Sequence, residues 1–292
     1  MKKYLLLLAL PLLLSSCNFS KSVKVDLSTG ISTTGDKLSC DDVFVTYNGK
    51  KISARTWVYG QNIQLNFRDI KGFELSDGKV FPDMDLYVAD VKGDTIMSVR
   101  NMYSQYPDGI KMDQVDMSAN LIMADPIHSD KDYKLIIFIY DTRGKGRFSL
   151  NYNFKVTRDE NLKVETNNIS LNEVYLFSGD RSSVIFDGNA KINEKVYFVI
   201  EGLNGLKEEG GMVFPGLSIK ATGSDGSIIL DNKDLFASTS ETGISATDVK
   251  QKLLPNLTFS SSGFKNPVNC TIKLWDKKSD SKLVVNASLT VL

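Results

Sequence analysis

Residues 135–141 read Leu-Ile-Ile-Phe-Ile-Tyr-Asp, and residues 270–276 read Cys-Thr-Ile-Lys-Leu-Trp-Asp. In both stretches every second residue is apolar, starting at Leu135 and at Cys270, and an aspartate ends the run. Alternation with a period of two is typical of a β-strand that buries one face. We therefore predict that the two stretches are equivalent central strands of two β-sheets.

The chain around these strands is duplicated, because apolar positions, glycines and a proline agree in both halves at nearly constant spacing. The matching pairs are Leu38/Ile169, Ser39/Ser170, Val43/Val174, Phe44/Tyr175, Val45/Leu176, Gly72/Gly205, Pro82/Pro215 and Gly93/Gly226. A match of Val23-Lys24-Val25-Asp26 with Leu162-Lys163-Val164-Glu165 sets the start of the first copy. The sequence thus predicts domains at residues 23–157 and 162–292, joined by a short, charged linker at 158–161 that restricts their relative motion.

Each copy has the turns and the size of an immunoglobulin-like β-sandwich. Asn-Gly and Asp-Gly pairs, which supply the positive φ of tight hairpin turns, begin at Asn48, Asp77, Asp108, Asp187 and Asp225. They divide each copy into about seven strands. One short helix is predicted in each copy, at residues 111–117 and 246–254. The predicted fold class is therefore all-β, with two tandem duplicated sandwich domains that each carry one short helix.

The first seventeen residues have the layout of a secretory signal peptide: Lys2-Lys3, an apolar run over residues 4–14, and then Leu14-Ser15-Ser16-Cys17. Leu-Ser-Ser-Cys resembles the lipobox of bacterial lipoproteins, in which signal peptidase II cuts before a lipidated cysteine. The resemblance implies that residues 1–16 are removed, that Cys17 carries the lipid and that residues 17–22 form a tether. The alternative is an ordinary secretory signal in which Cys17 is incidental. The rest of the chain resembles tandem immunoglobulin-like envelope lipoproteins of unknown function.

The residues after Cys17 predict a location. In lipoprotein sorting systems where an aspartate after the cysteine retains the protein in the inner membrane, Asn18 implies the outer membrane of a Gram-negative cell. Residues 18–22 carry no acidic residue of the kind that marks surface export in some lineages. We therefore expect the periplasmic leaflet. The lipid is the only membrane anchor that the sequence predicts.

The charge balance and the cysteines restrict the function further. Lys+Arg and Asp+Glu number 35 each, so no net positive field draws in nucleic acid, and no nucleic-acid partner is expected. Cys40 and Cys270 lie on apolar phases and align with Leu171 and Leu135. We expect both cysteines in the two cores, and a disulfide between them is not implied.

Polar candidates for chemistry are few. His128 is the only histidine and lies in a polar connection, so we expect a solvated loop residue and no zinc site of two or three histidines. The acidic residues of the first copy could bind calcium if their loops met. They are Asp83, Asp85, Asp90, Asp94, Asp113 and Asp116, and the second copy has Gly216, Ser218, Gly223 and Ser227 opposite the first four. Calcium and neutral surface variation both fit this loss, and the sequence predicts no metal or other cofactor.

Four aromatic residues are the candidate binding residues. Tyr103 and Tyr106 lie in a predicted connection, and Trp57 and Tyr59 share a strand face with Arg55. Such residues stack on sugar rings or anchor a protein partner. The alternative is packing, in a core or between domains for Trp57 and Tyr59 and within a loop for the other two.

The sequence contains no convergent catalytic set, so we expect a non-enzymatic accessory lipoprotein that presents loops and edge strands to another envelope protein. The alternative is a glycan- or peptide-capturing lipoprotein beside an outer-membrane transporter. That alternative requires Trp57, Tyr59, Tyr103 and Tyr106 to form an exposed platform. A hydrolase is a third possibility, and it requires Asp83, Asp85, Asp113 or Asp125 to converge in one cleft.

Overall fold

The structure, a computed structural model, describes residues 21–111, 115–260 and 263–292. Within the described residues the first domain contains eleven strands. They are β1 (Lys21–Asp26), β2 (Ile31–Asp36), β3 (Ser39–Tyr47), β4 (Lys50–Ile52), β5 (Thr56–Val58), β6 (Asn62–Lys71), β7 (Pro82–Ala89), β8 (Thr95–Val99), β9 (Val115–Ile122), β10 (Lys131–Asp141) and β11 (Arg147–Thr157).

Two sheets face each other in this domain. The larger sheet has the order β1-β2-β11-β10-β7-β8, and β5 joins the end of β11 in parallel. The smaller sheet has the order β4-β3-β6-β9. The alternating apolar residues of β10 point between the sheets, where Leu135 and Ile137 pack in one buried cluster with Leu65 and Phe67 of β6. This arrangement is the sandwich that the period of two predicts.

The second domain is built the same way. Its strands are β12 (Leu162–Asn167), β13 (Glu173–Ser178), β14 (Ser183–Val184), β15 (Asn189–Ala190), β16 (Lys195–Glu201), β17 (Met212–Val213), β18 (Pro215–Thr222), β19 (Ile228–Asn232), β20 (Ile244–Ser245), β21 (Lys252–Leu253), β22 (Asn256–Thr258), β23 (Val268–Asp276) and β24 (Lys282–Val291). One sheet has the order β12-β24-β23-β18-β19 and the other the order β14-β13-β16-β21, with β22 also on β16. The two sheets enclose a second buried cluster. The all-β, immunoglobulin-like tandem fold is therefore confirmed.

The strand order also corrects one part of the internal alignment. In the second domain β12 pairs directly with β24, and in the first domain β2, not β1, holds that place beside β11. Residues 31–36 therefore match residues 162–167, and the match of residues 23–26 with 162–165 is wrong. Alternating valines and lysines fit any half-exposed strand, so the short match selected the wrong neighbour. Among the described residues of the second domain, β1 has no counterpart.

The predicted helices have different outcomes. The second begins where expected, since Ser245 accepts a hydrogen bond from the Asp248 backbone N–H at 3.3 Å, and α1 covers Ala246–Gln251 before β21 follows. For the first, residues 112–114 lie outside the described residues, and Val115 and Met117 belong to β9. Their side chains enter the core at every second position, so the helix prediction is wrong over the described part of that segment.

A buried aspartate closes the end of the central strand in both domains. Asp141 accepts hydrogen bonds from the backbone N–H groups of Glu74, at 2.7 Å, and Arg143, at 3.0 Å. Asp276 accepts the equivalent bonds from Lys207, at 2.7 Å, and Lys278, at 2.9 Å. Each carboxylate thus ties a loop that crosses between the sheets to the hairpin after its own strand.

We predict that Asp141→Ala destabilises the first domain by about 3 kcal/mol, because two backbone donors lose a charged acceptor in a buried site. Urea unfolding of the full chain, followed by tryptophan fluorescence and circular dichroism, measures the loss. The control is Asp132→Ala, an exposed aspartate of the same strand with no side-chain partner among the described residues. An unfolding free energy equal to that of the Asp132→Ala protein would contradict the prediction.

Candidate binding surfaces

The four aromatic candidates do not meet. Trp57 is buried, and its indole Nε1 donates to the Tyr152 hydroxyl at 2.8 Å inside the first core. Tyr59 is also buried, and its ring centroid lies 5.3 Å from that of Tyr175 in the second domain. Both residues therefore pack, one in the core and one between the domains. Trp57 is thus enclosed in the core, whereas Tyr59 borders a cavity of about 510 Å³ at the domain junction.

The two loop tyrosines differ from each other. Tyr103 is half-buried, and its hydroxyl accepts from the Ser118 backbone N–H at 2.8 Å and donates to the Ser118 carbonyl at 3.0 Å. Tyr106 is 50% exposed, with its ring centroid 6.2 Å from that of Tyr103. Only one of the four candidates is therefore largely exposed, and the predicted platform is not formed.

The acidic residues support their own loops. Asp83 accepts from the Tyr103 backbone N–H at 2.9 Å, and Asp85 accepts from the Asn101 backbone N–H at 2.9 Å. Asp90 caps its own turn through the backbone N–H groups of Lys92 and Asp94. Across the described residues no group of three or more His, Cys, Asp or Glu side chains is placed to hold a metal ion. Asp113 and the predicted lipid site Cys17 lie outside the described residues.

His128 is not the solvated loop residue that the sequence suggested. Its side chain is 22% exposed, its Nδ1 is buried without a hydrogen-bond partner, and its Nε2 lies 3.7 Å from the Asp125 carboxylate. The residue borders a cavity that also includes Glu201 and Lys252 of the second domain. No local sequence pattern signals this burial, because residues of the second domain cover the loop.

Both cysteines of the described chain are buried and unpaired, as expected from their apolar phases. Burial raises the pKa of the Cys40 thiol to about 11 and that of the Cys270 thiol to about 12. Both are therefore inert core residues at neutral pH.

The junction between the domains is packed. Glu173 of β13 is fully buried, and its carboxylate accepts from the backbone N–H of Ser129 and from the Ser129 hydroxyl, the latter at 2.9 Å. Val184 packs so closely on Gly60 that an added Cβ there would lie 2.5 Å from a valine methyl. Contacts between side chains, and not the linker alone, therefore hold the two domains together.

Strand β1 carries exposed apolar side chains near the start of the described chain. All six of its residues are exposed, and Val23 and Val25 are 71% and 62% exposed. It pairs with β2 on one side, and within the described residues its other edge has no strand partner. On its inner side Lys24 donates to the Cys40 carbonyl at 3.3 Å. The strand is thus fixed to the sandwich while its valines and its free edge face solvent.

The outer face of the larger sheet in the first domain carries two parallel rows of side chains. Strand β10 presents the apolar row, and the neighbouring strand β11 presents the polar row directly opposite. The facing pairs are Lys134/Asn153, Ile136/Asn151, Phe138/Ser149 and Tyr140/Arg147. We call these residues the two-row face. At its centre Phe138 is 44% exposed, and its ring lies 6.0 Å from that of Tyr87 on β7.

A cavity of about 810 Å³ continues the two-row face toward the end of the sheet near the domain junction. Its floor includes Ile136. Its rim carries four cations and two carboxylates, namely Arg55, Lys92, Lys134 and Lys155 with Asp90 and Asp132. None of the three lysine ammonium groups has a hydrogen bond or ion pair in the described part of the chain. The cavity is therefore positive within a chain whose overall charge is balanced.

Comparisons with known proteins give no family: no family model and no curated protein matches the sequence. Among solved structures, the C-terminal domain of wzt has 11% identity and a TM-score of 0.32 over 43% of this chain and 77% of its own. Fibronectin(III)-like modules of Clostridium thermocellum CbhA have 10% identity and a TM-score of 0.20 over 85% and 93%. A Bacteroides uniformis beta-glucuronidase has 8% identity and a TM-score of 0.27 over 79% of this chain and 26% of its own. These likenesses assign no function. In the described residues, no helix combines the length and the apolar character needed to cross a membrane.

The junction generates a pH prediction. Burial raises the pKa of the Glu173 carboxyl, an effect that the Ser129 hydrogen bonds oppose. A carboxyl with a raised folded-state pKa stabilises the fold below its unfolded pKa, and this contribution is lost as the pH rises through the folded pKa. Burial also raises the pKa of Asp159 in the linker. A substitution of Glu173 alone is therefore needed to separate its contribution from that of Asp159.

We predict that Glu173→Gln gains stability relative to the unmodified chain between about pH 5 and about pH 8, because glutamine keeps the shape without the charge. Urea unfolding at both pH values measures the difference. The control is Glu165→Gln, an exposed residue of β12, whose stability should change equally at both pH values. A stability difference for Glu173→Gln that is the same at both pH values would rule out the buried charge as its cause.

Proposed function

We propose that this chain is a non-enzymatic accessory lipoprotein, anchored to the outer membrane through Cys17, that binds another envelope protein through strand β1. The observation that carries the proposal is that β1 is an addition to the duplicated fold. The second domain forms the same sheet without such a strand among its described residues. Because the second domain forms the same sheet without such a strand, the duplicated fold itself does not call for the exposed Val23 and Val25.

The place of β1 in the chain supports the same function. Its first residue, Lys21, follows the predicted lipid site by four positions, and four extended residues reach about 14 Å. Such a tether would hold β1 close to the membrane surface. A partner embedded in the outer membrane would then meet β1 before any other part of the protein.

A protein strand is the partner chemistry that suits this edge. The outer edge of β1 offers backbone N–H and C=O groups that a second strand can pair with. Burying the valines beside that strand adds about 1.5 kcal/mol or more for each side chain. The pairing would therefore combine backbone hydrogen bonds with a small apolar contact.

The observed geometry gives less support to the alternatives. A glycan- or peptide-capturing protein that uses Trp57, Tyr59, Tyr103 and Tyr106 together needs a platform, and three of these four residues have packing or hydrogen-bonding roles instead. A hydrolase needs convergent carboxylates, and Asp83 and Asp85 are occupied by loop N–H groups.

We predict that replacing both valines with aspartate, Val23→Asp with Val25→Asp, lowers recovery of the partner by more than about tenfold, because the apolar contact is lost and two charges replace it. The measurement is a pull-down of the full-length lipidated protein from gently solubilised native envelope, with mass spectrometry of the proteins that co-purify.

The matched control is Ile228→Asp with Leu230→Asp on β19, which are 65% and 38% exposed on an edge strand of the second domain. This pair should leave recovery unchanged. A Cys17→Ala protein tests whether capture needs the anchor. Equal loss from both double variants, or no partner recovered with any protein, would contradict the proposal.

A further inference from the structure

We propose that the two-row face and its adjoining cavity bind a polysaccharide that carries carboxylate groups. The inference is independent of the partner proposed for β1. It rests on four features of one surface: an exposed ring, a row of unengaged amides, a positive cavity, and the loss of the pattern from the equivalent face of the second domain.

The first feature is the match between the two rows and a sugar chain. A pyranose ring has an apolar face that packs on aromatic and aliphatic side chains, and an edge of hydroxyl groups that needs hydrogen-bond partners. On β10, Ile136 and Phe138 lie on one face about 7 Å apart, as same-face neighbours in a strand do. On β11, about 5 Å to the side, Asn151 and Ser149 lie directly opposite them. A sugar that packs on the apolar row would therefore place its edge over the polar row.

The second feature is that the polar row is not engaged in folding. The side chains of Ser149, Asn151 and Asn153 make no hydrogen bond within the described part of the chain. Each asparagine amide offers two donors and an acceptor. Asn151 and Ser149 are half-buried, and Asn153 is exposed. Their donors and acceptors are thus directed to solvent or a ligand.

The third feature is charge. Lys134 and Lys155 stand at the end of the two rows. Lys92, in the turn that follows β7, also lines the cavity. Of the two carboxylates on the rim, Asp90 already accepts two backbone N–H bonds within its turn. Unpaired lysines around a cavity with an apolar floor favour a ligand that carries negative charge as well as packing surface.

The position of the face within the sheet favours a glycan over an acidic peptide. Extended peptides gain most of their affinity by pairing their backbone with a free strand edge. Strands β10 and β11 lie in the interior of the sheet, with strand neighbours on both sides. A ligand on this face can be read only by side chains, through stacking, amide hydrogen bonds and charge.

The second domain provides an internal comparison. The residues at the places of Ile136 and Phe138 are Thr271 and Lys273, and Val284 stands in place of Ser149. Thr271 donates to the side-chain carbonyl of Asn286 at 2.8 Å, so the amide that corresponds to Asn151 is already engaged. The second face also carries a ring, the half-buried Trp275, beside a smaller cavity of about 400 Å³ that Lys220, Lys233 and Lys273 help to line. The two faces differ in that the first combines a largely exposed ring with free amides, whereas the amide of Asn286 is engaged.

The test uses the full-length lipidated protein in detergent, with isothermal titration against three carboxylated polysaccharides: polygalacturonate, alginate and hyaluronan. Dextran is the neutral probe, and poly-glutamate represents an acidic peptide. We expect at least one of the three polysaccharides to bind, more weakly at high salt, and dextran and poly-glutamate to bind at least about tenfold more weakly.

Phe138→Ala and Asn151→Ala should each weaken that binding by about tenfold, since one removes the stacking surface and the other a hydrogen-bonding amide. The matched controls are Lys273→Ala and Asn286→Ala, the equivalent positions of the second domain, which should leave binding unchanged. Thermal unfolding followed by circular dichroism checks that each variant is folded. The valine-to-aspartate variant of β1 should bind the polysaccharide normally, which separates this site from the proposed protein contact.

Three results would overturn the proposal. The first is that none of the three carboxylated polysaccharides binds. The second is that poly-glutamate binds as tightly as the best polysaccharide, which would assign the cavity to acidic peptides. The third is that folded Phe138→Ala and Asn151→Ala proteins bind as well as the unmodified chain.

Discussion

Two buried aspartates, Asp141 and Asp276, give the two sandwich domains the same loop arrangement, which we call the common frame. Each ends the central strand of its domain and accepts backbone hydrogen bonds from a crossing loop and from the hairpin that follows. A buried carboxylate with two backbone donors fixes both segments, because neither donor has another partner of equal strength. Nearby, Gly72 and Gly205 adopt φ values of 100° and 106°, and each approaches a backbone carbonyl so closely that a Cβ would lie 2.0 Å from it. The two copies can therefore be compared position by position.

The common frame separates what folding requires from what it leaves variable. The inner faces of β10 and β23 are apolar in both domains, and their end aspartates make the same bonds. Among the described residues, strand β1 and the two-row face occur in the first domain and have no equivalent in the second. The second domain contributes the buried Glu173, which accepts hydrogen bonds from the Ser129 loop of the first domain. We infer a division of labour in which the first domain binds and the second supports.

The sequence predicts much of this fold because strands, hairpins and duplication leave local signals. The alternation of Leu135, Ile137 and Ile139 predicts the central strand, and the match to Asp276 predicts its equivalent. The apolar phases of Cys40 and Cys270 predict their burial. The wrong predictions concern residues whose surroundings depend on contacts with distant parts of the chain. The local pattern of strand β1 fits any exposed strand, so it matches residues 162–165 although β2 is their structural counterpart.

The candidate binding residues were harder to predict for the same reason. The identity of an aromatic residue does not show whether its side chain packs between domains, as that of Tyr59 does, or faces solvent, as that of Phe138 does. In β10 the buried residues alternate with outward-facing ones, and Phe138 is one of the outward-facing positions. This alternation is the one local pattern that predicts an exposed ring. The register of β10 against β11 then brings Ser149 and Asn151 beside it, which no single segment reveals.

Hydroxyl-radical footprinting with mass spectrometry tests whether ligands contact the first domain alone. It compares the lipidated protein in its native envelope with the purified protein. It reports the solvent access of individual side chains. We expect Val23, Val25 and Phe138 to be protected in the envelope and to become reactive after purification. Trp275 and Ile228 of the second domain should react equally in both states. Protection of Trp275 or Ile228 in the envelope, or full reactivity of Phe138 and both valines there, would contradict a binding role confined to the first domain.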